Sequence, residues 1–237
     1  MRINKFLAAC GVASRRKTEQ FVLEGRVKIN GKVVTDLATD VNEEKDRVSV
    51  DGSEVKLPHK HIYLMMNKPK GYICSVRDEH DRKTVMDLLP VKYREKRIFP
   101  VGRLDYDSEG LLLLTTDGDF SDRLMRPANE VPKTYVCKIE GMVSEPEIAR
   151  LRNGVEIDGV RTKKCKAKIL ETNAKTTRVE LTITEGKNRQ IRRMFEAIGK
   201  TVTFLKRMAI GDLRVGGLSR GEVRELNEYE VDYLNKL

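Results

Sequence analysis

The sequence predicts an α+β protein in two parts. A small αβ module at residues 1–50 is followed by a linker at 51–61 and a larger mixed domain at 62–237 with a mainly antiparallel sheet. Three observations carry this reading. Two short helical periods and a strand–Asn-Gly–strand pattern open the chain, period-two apolar alternation recurs beyond residue 130, and helices with cap chemistry are interspersed. A length of 237 residues accommodates two domains, with 39% hydrophobic residues for a core and 35% charged residues to keep the rest in water. The longest apolar runs, such as Ile62–Met66 and Leu111–Leu114, fall far short of the roughly 20 residues of a membrane helix. The N-terminus opens polar and basic, without the apolar core of a signal peptide, so a cytoplasmic protein is expected.

In chain order, Ile3, Phe6, Leu7 and Cys10 follow helical spacing and Gly11 closes the run. Ser14 is placed to cap a second helix in which Thr18, Phe21 and Val22 face inward and Gly25 ends the helix. Val27–Val34, with Asn30-Gly31 at its centre, reads as a tight hairpin. The expected linker holds an Asp-Gly turn, Pro58 and several charges. Beyond it, Tyr135, Cys137 and Ile139 alternate with polar neighbours, as do Cys165, Ala167 and Ile169, and Val179, Leu181 and Ile183. Ser144-Glu145-Pro146-Glu147 is a capping box before Ile148, Leu151 and the terminating Gly154. Asn188 is the expected cap of a helix burying Ile191, Met194, Phe195 and Ile198 and ending at Gly199, and Asn227 caps the last helix. No Gly-rich phosphate loop follows a strand, which disfavours Rossmann and P-loop nucleotide sites.

The four cysteines are scattered without a CxxC, and the three histidines complete neither a zinc site nor a Ser-His-Asp arrangement, so free thiols and no metal are expected. The formal charge of +10 is concentrated. Residues 1–35 carry +6, residues 187–207 carry another +6, and the remainder is close to neutral. Two basic foci point to a polyanion. Nucleic acid is favoured over membrane because no basic amphipathic helix displays exposed Trp or Phe. Arg15, Arg16 and Lys17 sit at a helix start, where cations oppose the helix dipole and where phosphate is welcome.

Three segments of the second domain stand out. Gly102–Gly110, leading into Leu111–Thr116 and Asp117-Gly118, brings Asp105, Asp107, Glu109 and Asp117 around one buried strand; composition alone reads it as a polar turn and does not rank these acids. Tyr135 lies on the apolar face of its strand, where a tyrosine is usually core. In Glu185–Phe195, Arg189, Arg192 and Arg193 flank the buried stripe of a helix, and Arg192 is the one placed to reach inward.

Leu7–Arg16 followed by Glu24–Gly31 resembles the S4-type RNA-binding domain, over roughly residues 2–48. Gly102-Arg103-Leu104-Asp105 with Gly110–Thr115, then Lys133-Thr134-Tyr135, then Gly186–Met194, resemble the RsuA/RluB family of ribosomal-RNA pseudouridine synthases, supported by Asn67–Gly71 and Arg207–Gly211. The resemblance spans essentially the whole chain and implies isomerisation of a uridine in ribosomal RNA, without a cofactor. It implies that Asp105 is the catalytic aspartate, that Arg192 is its basic partner, that Tyr135 stacks on the target base, and that Leu213 lines the pocket. A basic partner is also required physically, because burial raises a carboxylate pKa by up to about 3–5 units and a nearby Arg lowers it by about 1–3. Arg2, Lys5, Arg15, Arg16, Lys17 and Arg26 in the first module, and Arg103, Lys187, Arg189 and Arg193 in the second, are candidates for RNA phosphate contacts. The expected partner is ribosomal RNA or a ribosomal assembly intermediate, met by a monomer. The wording of the motifs resembles the large-subunit branch. A small-subunit 16S enzyme, a noncatalytic ribosome-associated RNA-binding protein and, more distantly, a DNA-binding regulator are the competing readings.

Overall fold

A computed structural model describes all residues 1–237, which form two compact units dividing at His61/Ile62, with the turn Thr116–Gly118 grouped with the first. In the first unit, α1 (Ile3–Ala9) buries Ile3, Phe6 and Leu7, and α2 (Arg15–Leu23) buries Thr18 and Val22. The Ser14 hydroxyl accepts the Lys17 N–H at 3.3 Å, the cap that the sequence places there. Strands β1 (Val27–Ile29), β2 (Lys32–Val34), β3 (Val48–Val50) and β4 (Ser53–Val55) form one antiparallel sheet in the order β2-β1-β3-β4. Asn30 and Gly31 both take positive φ, 51° and 82°, as a two-residue hairpin turn with strand-matched twist demands. β4 corrects one expectation. The start of the presumed linker is a strand, because Asp51-Gly52 is a second hairpin turn and Ser53–Val55 pairs with β3.

The second unit is organised by a nine-stranded sheet. Its strands are β5 (Tyr63–Lys68), β6 (Phe99–Val101), β7 (Glu109–Thr115), β8 (Lys133–Glu140), β11 (Lys166–Thr172), β12 (Thr176–Ile183), β13 (Val202–Ile210), β14 (Leu213–Arg214) and β15 (Val223–Glu225). The main path runs β11-β12-β8-β13-β7-β5-β15, with β6 on β7 and β14 on β13; β9 (Glu156–Ile157) and β10 (Val160–Arg161) form a separate hairpin. Every pairing is antiparallel except β7 with β13. The mixed, mainly antiparallel α+β architecture is therefore the one the sequence predicts.

Apolar side chains cover both faces of the central strands. Leu64, Met66, Leu112, Leu114, Tyr135 and Leu181 belong to one cluster, with α5 (Glu145–Arg152) and α6 (Gln190–Glu196) contributing Ile148, Leu151, Ile191, Met194 and Phe195. Met65, Leu111, Leu113 and Ile210 belong to the other, with Phe120 and Leu124 of α4 (Gly118–Met125) and Leu234 of α7 (Glu228–Asn235). Burial on both faces explains why Leu111–Leu114 is a continuous apolar run and not an alternating one. At Glu109, β7 emerges from the loop carrying Asp105, so the doubly buried strand fixes the position of that loop.

Candidate functional site

The loop between β6 and β7 is tied down residue by residue. The Leu104 N–H donates to Cys74 Sγ at 3.3 Å, and the Gly71 N–H donates to the Tyr106 carbonyl at 2.9 Å. The Ser108 N–H donates to the Asp105 carbonyl at 3.0 Å. The central tie is Lys68, whose side chain is fully buried at 0% exposure. Its ammonium donates to the carbonyls of Pro69 at 3.1 Å, Asp105 at 3.0 Å and Ser108 at 2.9 Å, so three N–H donors meet three acceptors. Burial pushes the Lys68 pKa below the usual lysine range, opposed by the electrostatic pull of Cys74 and of the carboxylates of Asp105, Asp107 and Glu109. A buried ammonium so satisfied holds a loop and brings positive charge beside its acids. Lys68 lies in the Asn67–Gly71 motif, and a lysine ending an otherwise apolar strand is its signal in the sequence.

Asp105 itself is half-buried, and its carboxylate makes neither a hydrogen bond nor an ion pair. The cation expected beside it sits two residues further on. Arg192, buried on α6, places Nη2 at 2.9 Å from Asp107 Oδ2 and donates from Nη1 to the Val202 carbonyl at 2.9 Å. Arg189 approaches the other Asp107 oxygen at 3.6 Å. Arg192 thus reaches inward as the helix pattern implies, but Asp107 and not Asp105 is its carboxylate partner. Asp107 follows Asp105 by two residues, so the carboxylate that Arg189 and Arg192 engage and the Asp105 backbone that Lys68 holds belong to one short tied-down segment.

The start of α6 also differs from expectation. Asn188 does not cap it. Arg189 takes a left-handed conformation with φ 47°, and the helix begins at Gln190, whose buried side chain accepts the Lys187 N–H at 2.9 Å and donates to Glu185. That local closure turns Arg189 and Arg192 toward the same carboxylate.

Tyr135, 8% exposed, lies opposite Arg207 in the β8–β13 register. Arg207 Nη1 donates to the Tyr135 hydroxyl at 3.4 Å, its Nε donates to the Leu111 carbonyl at 2.7 Å, and the guanidinium carbon is 6.0 Å from the ring centre. Arg207 is itself buried, a second cation whose role the sequence alone had not disclosed. The same crossing explains Gly110. With φ 107°, it packs against β13 so closely that a Cβ would stand 2.1 Å from the Arg207 carbonyl oxygen. Leu213 does not join this group. It belongs to the apolar cluster of Leu111, Leu113 and Phe120, whereas Tyr135 and Leu104 belong to the other.

The expected RNA-contacting cations divide into two kinds. Arg15, Arg16 and Arg103 are exposed and in no ion pair, and Lys17 reaches Gln20 at 3.4 Å. Arg2 pairs with Asp40 at 3.6 Å, Lys187 with Glu185 at 3.9 Å and Arg193 with Asp158. Arg26 pairs with Asp51 and Glu24 and lies over the Phe21 ring at 3.9 Å. Lys5 lies on α1. All four cysteines are free thiols, and no helix is long and apolar enough to cross a membrane.

Residues 62–197 match the family model described as RNA pseudouridylate synthase, more than half of the chain. The chain belongs to the RNA pseudouridylate synthase family. Residues 1–48 match the S4 domain. A Bacillus subtilis protein named ribosomal large subunit pseudouridine synthase B is 44% identical over the whole chain and 96% of its own length. An Aquifex aeolicus protein, an uncharacterized RNA pseudouridine synthase, is also 44% identical, over the whole chain and 94% of its own length. A crystal structure of a pseudouridylate synthase superposes with a TM-score of 0.71 at 32% identity, covering 99% of both chains. The chain is an RNA pseudouridine synthase with an S4 RNA-binding domain.

Proposed function

We propose that this synthase converts a uridine of large-subunit ribosomal RNA to pseudouridine, with the Asp105 carboxylate as the reacting group. The observation that carries the chemical assignment is the contrast within the loop. Asp107 is occupied by two arginines, and Glu109 is buried with Arg220 at 3.2 Å, while Asp105 alone presents a carboxylate without a partner.

The product is an isomer of the substrate, so the reaction needs no redox equivalent. The N1–C1′ bond breaks, the uracil turns, C5 bonds to C1′, and the C5 proton is lost while N1 gains one. A carboxylate suits the first step by either of two routes, bonding to C1′ or taking the C2′ proton. Lys68, bonded to the Asp105 carbonyl, brings a positive charge close to the carboxylate, and Arg189 and Arg192 anchor the neighbouring Asp107, so that the loop presents Asp105 in one place. Tyr135, held by Arg207, offers its ring to the flipped uracil, replacing stacking lost from the RNA. The exposed cations of α2 and Arg103 engage phosphates, and the S4 unit reads RNA shape more than base edges. The large-subunit assignment is supported by the name of the Bacillus subtilis relative and by the length over which it aligns. The protein would then work in the cytoplasm, on ribosomal RNA or an assembly intermediate.

Carbodiimide primer-extension mapping of ribosomal RNA from cells with and without this chain tests the reading. The expected result is one pseudouridine stop in large-subunit RNA that disappears with the gene and returns with the wild-type chain. A stop lost from small-subunit RNA would reassign the substrate, and no lost stop would favour a noncatalytic role.

A further inference from the structure

Tyr135 accounts for the target base, yet a second aromatic ring lies directly beside the reacting carboxylate along the chain. Tyr106 follows Asp105 directly and is 58% exposed. Its backbone is rigid, since the Tyr106 carbonyl is held by the Gly71 N–H and the flanking Asp105 and Ser108 carbonyls by Lys68. Its side chain is braced on one side only. A Cβ on Gly71 would lie 3.9 Å from the Tyr106 hydroxyl, so the ring tip rests along the bare glycine of the Lys68–Gly71 turn. Among the large exposed apolar side chains the other aromatic one is Tyr229, on α7.

Extracting a uridine from a stack leaves its neighbours without a partner face. A rigid, half-open ring one residue from the reacting carboxylate can supply that face at low entropic cost. We propose that Tyr106 is a stacking platform for an RNA base flanking the target uridine, and so a specificity-determining contact that Tyr135 cannot make. This rests on Asp105 as the reacting group, and it predicts preference for a purine, with its larger π-face, at the flanking position that Tyr106 covers.

The test uses the full chain and a ribosomal RNA hairpin containing the modified uridine, with 2-aminopurine at either flanking position. Tyr106→Ala should raise Kd and KM about tenfold or more, the loss expected of one base–aromatic stack, with kcat at saturating RNA within about threefold of wild type. Tyr106→Phe and Tyr106→Trp should restore binding, because the ring and not the hydroxyl does the work. The slope of affinity against salt should not change, since no phosphate contact is lost. Quenching of 2-aminopurine at one flanking position should persist with the wild type and Tyr106→Phe and vanish with Tyr106→Ala. Wild-type affinity and quenching in Tyr106→Ala would overturn the proposal, as would a fall in kcat at unchanged KM or a failure of Tyr106→Phe to rescue. A failure of the underlying reading would look different, as isomerisation persisting in Asp105→Asn.

Discussion

Both units of the chain carry functional cations, and the structure uses those of the S4 helix α2 and those around the acidic loop in opposite ways. In the S4 unit the cations of α2 stand in water, and ion pairs such as Arg2 with Asp40 and Arg26 with Asp51 are solvent-exposed. In the synthase unit Lys68, Arg192 and Arg207 are buried and hydrogen-bonded to backbone carbonyls. Exposed charge is screened and adjustable, which suits docking on a polyanion whose affinity is tuned by salt. Buried charge tolerates no vacancy, which suits a loop that must present one carboxylate in one place. Net charge counted along a sequence does not distinguish these uses; the acceptors do.

The comparison can be broken most forcefully at Lys68. Lys68→Met leaves one buried and two part-buried carbonyls without their shared donor, at about 1–3 kcal/mol for the buried one and less for the others, so a loss of about 3 kcal/mol is expected. Thermal unfolding should shift down by roughly 6–12 °C. An unchanged midpoint would show that the loop is held by something else. Joint replacement of Arg15, Arg16 and Lys17 by Ala should do the reverse. Unfolding should stay put, RNA affinity at low salt should fall about tenfold to a hundredfold, and the slope of log affinity against log salt should flatten by roughly two units. A slope equal to wild type would remove α2 from the RNA interface.

Asp107→Asn sharpens the division inside the loop. Because Asp107 is about half exposed, the stability cost should be small, but Arg192 loses its anchoring charge. Turnover should drop about tenfold with RNA affinity within about twofold, measured by single-turnover and filter-binding assays. Equal losses in both would make Asp107 a structural or binding residue. The smallest effect is expected at Lys133, whose pKa is pushed down to about 8, first by burial and then by the nearby Arg207. Below pH 8 both the folded and unfolded states hold its proton and the cost of burying the charge is fully present. Between about pH 8 and 10.5 the folded state sheds the proton first, so that cost is relieved as pH rises. Stability relative to Lys133→Gln should therefore shift in favour of the wild type across that window in pH-dependent denaturant melts, and a flat difference would contradict it.

Much of the fold was legible because its signals are local. Asn30-Gly31, the Ser14 and Asn227 caps and the Ser144 capping box each depend on residues within a few positions. The acidic loop stood out by its composition and by the apolar strand behind it. What was not legible depends on distant partners. The strand Ser53–Val55 is polar enough to read as linker and becomes a strand because β3 offers an edge. Asn188 has cap chemistry, yet Gln190 closes the turn because Glu185 is there to receive its amide. Arg192 could be seen to point inward, but a long guanidinium chooses among carboxylates two residues apart by tertiary position. The roles of Lys68 and Arg207 depend on carbonyl acceptors up to 40 and 96 residues away.

Among the acids of its loop, Asp105 is the one we propose is left open for chemistry. This is tested by giving Asp105→Asn a ribosomal RNA labelled with tritium at uridine C5, since isomerisation releases that hydrogen to water, and by measuring RNA affinity in parallel. The account predicts release slowed by about a thousandfold or more, with RNA affinity within about threefold of wild type. Tritium release at the wild-type rate, with the same affinity, would contradict it and return the search to Asp107, Glu109 and Asp117.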